Sequence, residues 1–238
     1  MNAKPDPRTS EGLTGRFQRK SIQGVFLDVD GVLLDSLPQH LAICTDKARE
    51  FGLNLDIPDV VTFRRMVLTG IKISPMLDFF IAVGFPKTYA KRAVVDYERD
   101  FMHLYRPYLF PGVDLMLARL RSAGYVLGLV TANTARNVEP ALGVAMRHFE
   151  PRLLFYVDTF EQPRSKSWCL SEGALRMRMP VQDCIFVGDQ PADARAALES
   201  GCQFLGVTYG WGLVEGNSSI VTVGSAEAIA DALIERGL

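Results

Sequence analysis

Val25-Phe26-Leu27-Asp28-Val29-Asp30-Gly31-Val32-Leu33-Leu34-Asp35-Ser36 is an apolar run that ends abruptly in two acids one residue apart, then a glycine. In an extended strand the side-chain period is 2, so Asp28 and Asp30 point to the same side. Two carboxylates at the exit of a buried strand are costly unless a cation or a proton relates them. The pair suits a Mg²⁺ site and a division of labour, one carboxylate acting as nucleophile and the other as acid/base.

Outward from this stretch, residues 1–20 are polar and carry Pro5, Pro7 and Gly15 without a sustained period, which predicts a loose tail. From Leu37 to about Tyr105 helical spacing dominates, as in Leu41, Cys44 and Ala48, then Val60, Phe63 and Val67, then Met76, Leu77, Phe80 and Ile81. Pro58, Gly70, Pro75, Gly84 and Pro86 divide it into about four helices, with no strand among them. A helical block placed just after a first strand reads as an inserted cap, over residues 37–107.

Beyond Phe110-Pro111-Gly112, strands and helices alternate. The strands are Tyr125–Val130, Leu153–Val157, Cys184–Val187 and Phe204–Val207. The helices begin near Val113, run from about Val138 to Arg147, from Trp168 to Met179 and from Ala194 to Ser200, and end with about Ala226 to Arg236. Alternation of this kind predicts an α/β fold, a Rossmann-like parallel sheet covered on both faces and built from residues 21–36 and 108–238. Ligands of such sheets bind beyond the carboxyl ends of the strands. Three strands end in polar clusters, Asp28/Asp30, Thr131/Asn133 and Asp189/Asp193, which therefore converge on one edge.

Composition narrows the partners. The 238 residues are 48% hydrophobic and 22% charged, enough for a sizeable core in a globular protein. The formal net charge is -1 with no basic block, so nucleic acid is not an expected partner. No apolar run is long enough for a bilayer, and the N-terminus lacks an apolar signal core, so a cytoplasmic protein without a membrane partner is expected. Cys44, Cys169, Cys184 and Cys202 are scattered, which fits reduced thiols.

The clusters support phosphoryl chemistry. A carboxylate can attack phosphorus and form an aspartyl phosphate, with Asp28 as nucleophile. Asp30 can protonate the leaving oxygen and then activate water. Attack by an anion on an anion needs a cation, and Mg²⁺ with oxygen ligands fits; Asp189 binds it in this reading and Asp193 holds it or its waters. Thr131 offers a hydroxyl and nearby backbone N–H groups, from Ala132 and Asn133, to a phosphate oxygen, although alone such a residue is more often a helix N-cap. Lys166 completes the charge balance, with Arg152 and Arg164 as competitors. His40, His103 and His148 lack metal spacing and read as structural or surface residues.

Taken together, Asp28-x-Asp30-Gly31-Val32-Leu33-x-Asp35-Ser36, Thr131, Lys166 and Gly188-Asp189-x-x-x-Asp193 resemble the four motifs of the haloacid dehalogenase-like hydrolases. The helical block resembles the small cap of the phosphoglycolate phosphatase and β-phosphoglucomutase-like subgroup, and Gly206-Val207-Thr208-Tyr209-Gly210-Trp211-Gly212 resembles a loop of its phosphatase members. Ser167 stands where the subgroup often has proline, and Gln190 where it often has serine. The resemblance implies Asp28 as nucleophile, Asp30 as acid/base that also gives the metal its backbone carbonyl, Asp189 as metal ligand and Asp193 as supporting carboxylate.

The implied activity is Mg²⁺-dependent hydrolysis of a small phosphorylated metabolite by a monomer or homodimer. A mutase of the β-phosphoglucomutase type is the alternative, but its cap-loop arginine is missing from Leu68-Thr69-Gly70-Ile71-Lys72-Ile73-Ser74, which offers only Lys72 as a substrate ligand. Dehalogenases and phosphonate hydrolases of the superfamily lack the second aspartate, so Asp30 favours phosphate esters. A catalytically silent binding or regulatory relative would not need the complete acidic set. Cap closure is expected to hinge near Ser36 to Pro38 and near Arg106 to Pro111.

Overall fold

The computed structural model describes residues 22–216 and 220–235; the expected tail over 1–20 and the end of the last helix at Arg236 lie outside the described residues. In chain order, β1 (Gly24–Leu27) is followed by a two-residue β2 (Leu34–Asp35) and four helices, α1 (Leu37–Glu50), α2 (Val60–Leu68), α3 (Met76–Ala82) and α4 (Lys87–Leu104). The chain returns through β3 (Tyr108–Leu109) and continues as α5 (Val113–Ser122), β4 (Val126–Val130), α6 (Ala135–Leu142), β5 (Leu154–Phe155) and α7 (Lys166–Met177). β6 (Cys184–Gly188), α8 (Pro191–Ser200), β7 (Gln203–Val207), β8 (Thr222–Val223) and α9 (Ala226–Ile234) complete it.

Six strands form a parallel sheet in the order β5-β4-β1-β6-β7-β8. Buried on both faces, its central strands are continuous apolar runs. Alternation along β1 sends Val25 and Leu27 into one core layer with Leu117, Val138 and Ile229 of α5, α6 and α9. It sends Phe26 into the other, with Leu170 and Ala174 of α7 and Ala197 of α8. Phe26 fits there because Gly128 and Gly173 lie against its ring; a Cβ on either would come within 2.7 Å or less of a ring carbon. β1 lies at the centre, where the order of crossovers reverses, so the crevice at its carboxyl end is the natural ligand site.

The four helices α1–α4 bury a separate apolar cluster that includes Phe63, Phe79, Phe80, Phe85 and Phe101. The block leaves and rejoins the core through β2 and β3, which pair antiparallel with Leu34 opposite Leu109 and Asp35 opposite Tyr108. Further links join it to the core. Arg64 donates to the Thr208 carbonyl (2.6 Å), Arg106 to the Pro140 carbonyl (2.6 Å), and Trp211 inserts its indole among His40, Phe63 and Phe79.

Several boundaries differ from those expected. The helix after Thr131 starts at Ala135 and stops at Leu142, because Gly143 takes a positive φ of 52° and a 3-10 stretch follows to His148. The strand expected over Leu153–Val157 shrinks to two residues at the sheet edge. Lys166, not Trp168, opens α7: Ser165 caps it by accepting a bond from the Trp168 N–H, and Arg178 ends it in the left-handed region. Among the described residues no helix is long and apolar enough to cross a membrane.

Candidate active site

A cavity of about 570 Å³ opens where the carboxyl ends of β1, β4 and β6 face the helical block. Asp28, Asp30, Thr131, Ala132, Asn133, Lys166 and Asp193 all line it. The chain leaves the β1 ladder at Asp28 and turns sharply: the Val29 carbonyl accepts from Leu33 and Leu34, and Gly31 takes φ 82°. A Cβ at Gly31 would fall 2.2 Å from Asp189 Oδ2, so only glycine lets this turn approach β6.

The buried Asp28 accepts from the Val29 N–H through Oδ1 (2.8 Å) and from Lys166 Nζ through Oδ2 (2.6 Å). Lys166 reaches the site because α7 begins with it, and its ammonium also donates to Asp193 Oδ1 (2.7 Å). Asp193 Oδ2 accepts the backbone N–H groups of Asp189 and Gln190, and the Gln190 side chain answers from the N-cap of α8. Gln190, the departure from the serine common in the subgroup, thus completes a capping box that fixes Asp193. Asp189 is fully buried; its Oδ2 accepts from the Trp211 backbone N–H (2.6 Å), and its Oδ1 is buried without a partner among the described residues.

Oxygens of Asp28, Asp189 and Asp193 lie within 4.8 Å of one another. Three carboxylates this close, one with an orphaned oxygen, fit a hard divalent cation such as Mg²⁺. The Asp30 carboxylate stands apart from them. Ser36 donates to its Oδ1 (2.6 Å) and Asn133 to its Oδ2 (2.9 Å). Asn133 is itself held, its side-chain carbonyl accepting from the Thr134 N–H and from Asn137 Nδ2, while its N–H donates to Thr131 Oγ1.

Lys72 does not join the site. Its side chain is 76% exposed and pairs with Asp78 at 2.6 Å, in the first turn of α3, while its neighbours Ile73, Ser74 and Pro75 line the cavity. Lys72, expected as a substrate ligand, is thus not among the residues that line the cavity. Ser36, Asn137, Gln190 and Trp211 were not expected as site residues. Ser36 closes the first motif and Asn137 lies one helical turn beyond Asn133, so both carried a positional signal.

A family model described as haloacid dehalogenase-like hydrolase matches residues 25–207, which holds every one of these groups except Trp211. The chain belongs to the haloacid dehalogenase-like hydrolase family. It is similar to the phosphoglycolate phosphatase of Nitrosococcus oceani, 27% identical over 91% of this chain and 95% of that one. It is also similar to the phosphoglycolate phosphatase of Vibrio cholerae, 30% identical over 81% and 87%. A haloacid dehalogenase-like family protein of Streptococcus pneumoniae shares the fold, with a TM-score of 0.70 and 22% identity over 88% of this chain and 97% of that one.

The electrostatics of this haloacid dehalogenase-like site set a pH dependence. Burial, then the charges of Asp193 and Asp28, hold Asp189 well above the usual carboxylate range. Burial lifts Asp28 to about 7 against the pull of Lys166. Burial alone would lower the pKa of Lys166, but Asp193 and Asp28 outweigh it and keep the ammonium charged. The metal-free folded chain thus retains carboxyl protons that the unfolded chain has released. From the ordinary value of 3.8 up to about pH 7, the contribution of Asp28 to its stability falls as pH rises. A divalent cation replaces those protons, so Mg²⁺ is expected to raise Tm more at about pH 8 than at about pH 5. Thermal scans with and without Mg²⁺ at the two pH values check this; equal shifts would contradict the shared carboxylate site.

Proposed function

We propose that the chain is a Mg²⁺-dependent phosphatase of a small phosphorylated metabolite, working in the cytoplasm through an aspartyl-phosphate intermediate. The observation that carries this reading is the pairing of two differently held carboxylates at one strand end. Asp28 is bridged to Lys166 and open to the cavity, while Asp30 has both oxygens gripped by Ser36 and Asn133. Asp28 attacks phosphorus and the bond to the leaving oxygen breaks, with Asp30 giving that oxygen its proton. Asp30 then takes a proton from the water that attacks the acyl phosphate, which releases phosphate and restores Asp28. Lys166 and the Thr131 hydroxyl orient and neutralise the phosphoryl oxygens. Asp28, Asp189 and Asp193 would hold Mg²⁺, which supplies the charge that lets a carboxylate approach a phosphate dianion.

The similarity to phosphoglycolate phosphatases supports hydrolysis. A mutase would need a cation for a second phosphate, and Lys72, the one offered by the loop, is turned to Asp78. Release of phosphate from p-nitrophenyl phosphate is expected with Mg²⁺ and is expected to vanish with a chelator. Undiminished turnover by chelated protein would overturn the reading.

A further inference from the structure

The wall of the cavity opposite Asp28 comes from the helical block, and its chemistry bears on which ester the site takes. Ile73, Met76, Leu77, Phe79 and Val94 supply most of that wall. Its neutral polar groups are few: Ser74, the Tyr97 hydroxyl and the ring of His40. Burial pushes the His40 imidazole below the usual histidine range, so it stays uncharged. The only acid the block contributes is Glu98, on the exposed rim, and it contributes no lysine or arginine.

Among the described residues of the lining, Asp28, Asp30, Glu98 and Asp193 face a single cation, Lys166, which is already bridged to two of those carboxylates. A cation seated among the acids would be engaged by the phosphoryl group. A second negative charge on the leaving alcohol would enter an apolar wall with nothing to pair it and Glu98 at the entrance, which is the costly case for a buried charge. The volume, about 570 Å³, also suits a ligand much larger than a two-carbon acid.

Resting on the phosphatase reading above, we propose that the substrate is the phosphate monoester of an uncharged alcohol with a bulky, mainly apolar body, and that esters whose leaving group carries a carboxylate or second phosphate are discriminated against. The selectivity differs from that suggested by the names of the similar phosphoglycolate phosphatases, and its determinant is the missing cation in the wall formed by α3, α4 and the loop before α3.

The test compares kcat/KM for two matched pairs with Mg²⁺ present: phenyl phosphate against 4-carboxyphenyl phosphate, and propyl phosphate against phosphoglycolate. In each pair the neutral ester is expected to be favoured, by about 100-fold for the aryl pair. Val94→Lys, and separately Met76→Lys, place an ammonium in the wall and are expected to raise the ratio of carboxylated to neutral turnover at least tenfold. That ratio does not depend on how much of a variant is folded. Equal or better turnover of the carboxylated esters by the unaltered protein would overturn the proposal while leaving the phosphatase reading intact. Failure to hydrolyse any of the four would overturn both.

Discussion

Asp28→Asn is expected to lower the rate of p-nitrophenyl phosphate hydrolysis by about 10,000-fold or more, with the fold unchanged by circular dichroism. The amide has nearly the volume of the carboxylate and keeps an oxygen for the Val29 N–H. It lacks the negative charge that forms the bond to phosphorus. It also turns its NH2 or a neutral carbonyl toward Lys166 Nζ, which now sits 2.6 Å from Oδ2. Asp30 cannot substitute, because Ser36 and Asn133 hold its carboxylate apart from the three-acid cluster. Burst-phase labelling with a phosphate ester should detect an acyl phosphate in the unaltered protein and none in the variant. A variant retaining a tenth of the activity would move the nucleophile elsewhere.

Lys166→Met should produce the second largest effect, and on two readouts. The ammonium is the shared partner of two buried carboxylates, at 2.6 Å and 2.7 Å. Its loss removes a donor to the phosphoryl oxygens, for an expected fall in kcat of about 100- to 1,000-fold. It also leaves Asp28 and Asp193 buried without their cation, at a cost of about 3 kcal/mol in urea denaturation of the metal-free protein. That cost has a direction in pH. Asp28 already titrates near 7 with the lysine in place. Without the lysine its proton is held more tightly, so the penalty shrinks as pH falls and the carboxyl is neutralised. Lys166→Arg should rescue little, since a planar fork does not bridge two carboxylates as a compact ammonium does. A variant with ordinary stability and a kcat within threefold of the parent would remove Lys166 from the site.

Much of this arrangement was legible in the chain. Buried parallel strands are uninterrupted apolar runs, and their carboxyl ends share an edge, so the sequence alone brings Asp28, Thr131 and Asp189 together. Lys166 was legible as the cation that completes the charge balance in a loop before a helix, but its place as the first residue of α7 was not. What escaped was set by contacts distant in sequence. The two-residue strands Leu34–Asp35, Tyr108–Leu109 and Thr222–Val223 are too short to show a period and exist because a partner strand lies alongside. The direction of Lys72 was not legible, because a loop's residues declare their charge but not where they point, and Asp78 on the next helix pairs with it. Trp211 stood in a recognisable glycine-rich loop, yet nothing local indicated that its indole would enter the cluster of α1–α3 while its backbone N–H holds Asp189.

The short ribbon of β2 and β3 has a consequence for how such a chain can diversify. Because Leu34 lies against Leu109 and Asp35 against Tyr108, the two ends of the intervening segment are side by side. A tight turn could reconnect them, so the segment is a cassette hung from one joint, and the six residues Asp28, Asp30, Thr131, Lys166, Asp189 and Asp193 all lie outside it. Exchange of one contiguous stretch can thus replace the wall that meets the leaving group without disturbing the reacting carboxylates. The constraint on any transplanted cassette is narrow: it must offer a socket for the Trp211 indole and donors for the carbonyls of Thr208 and Pro140.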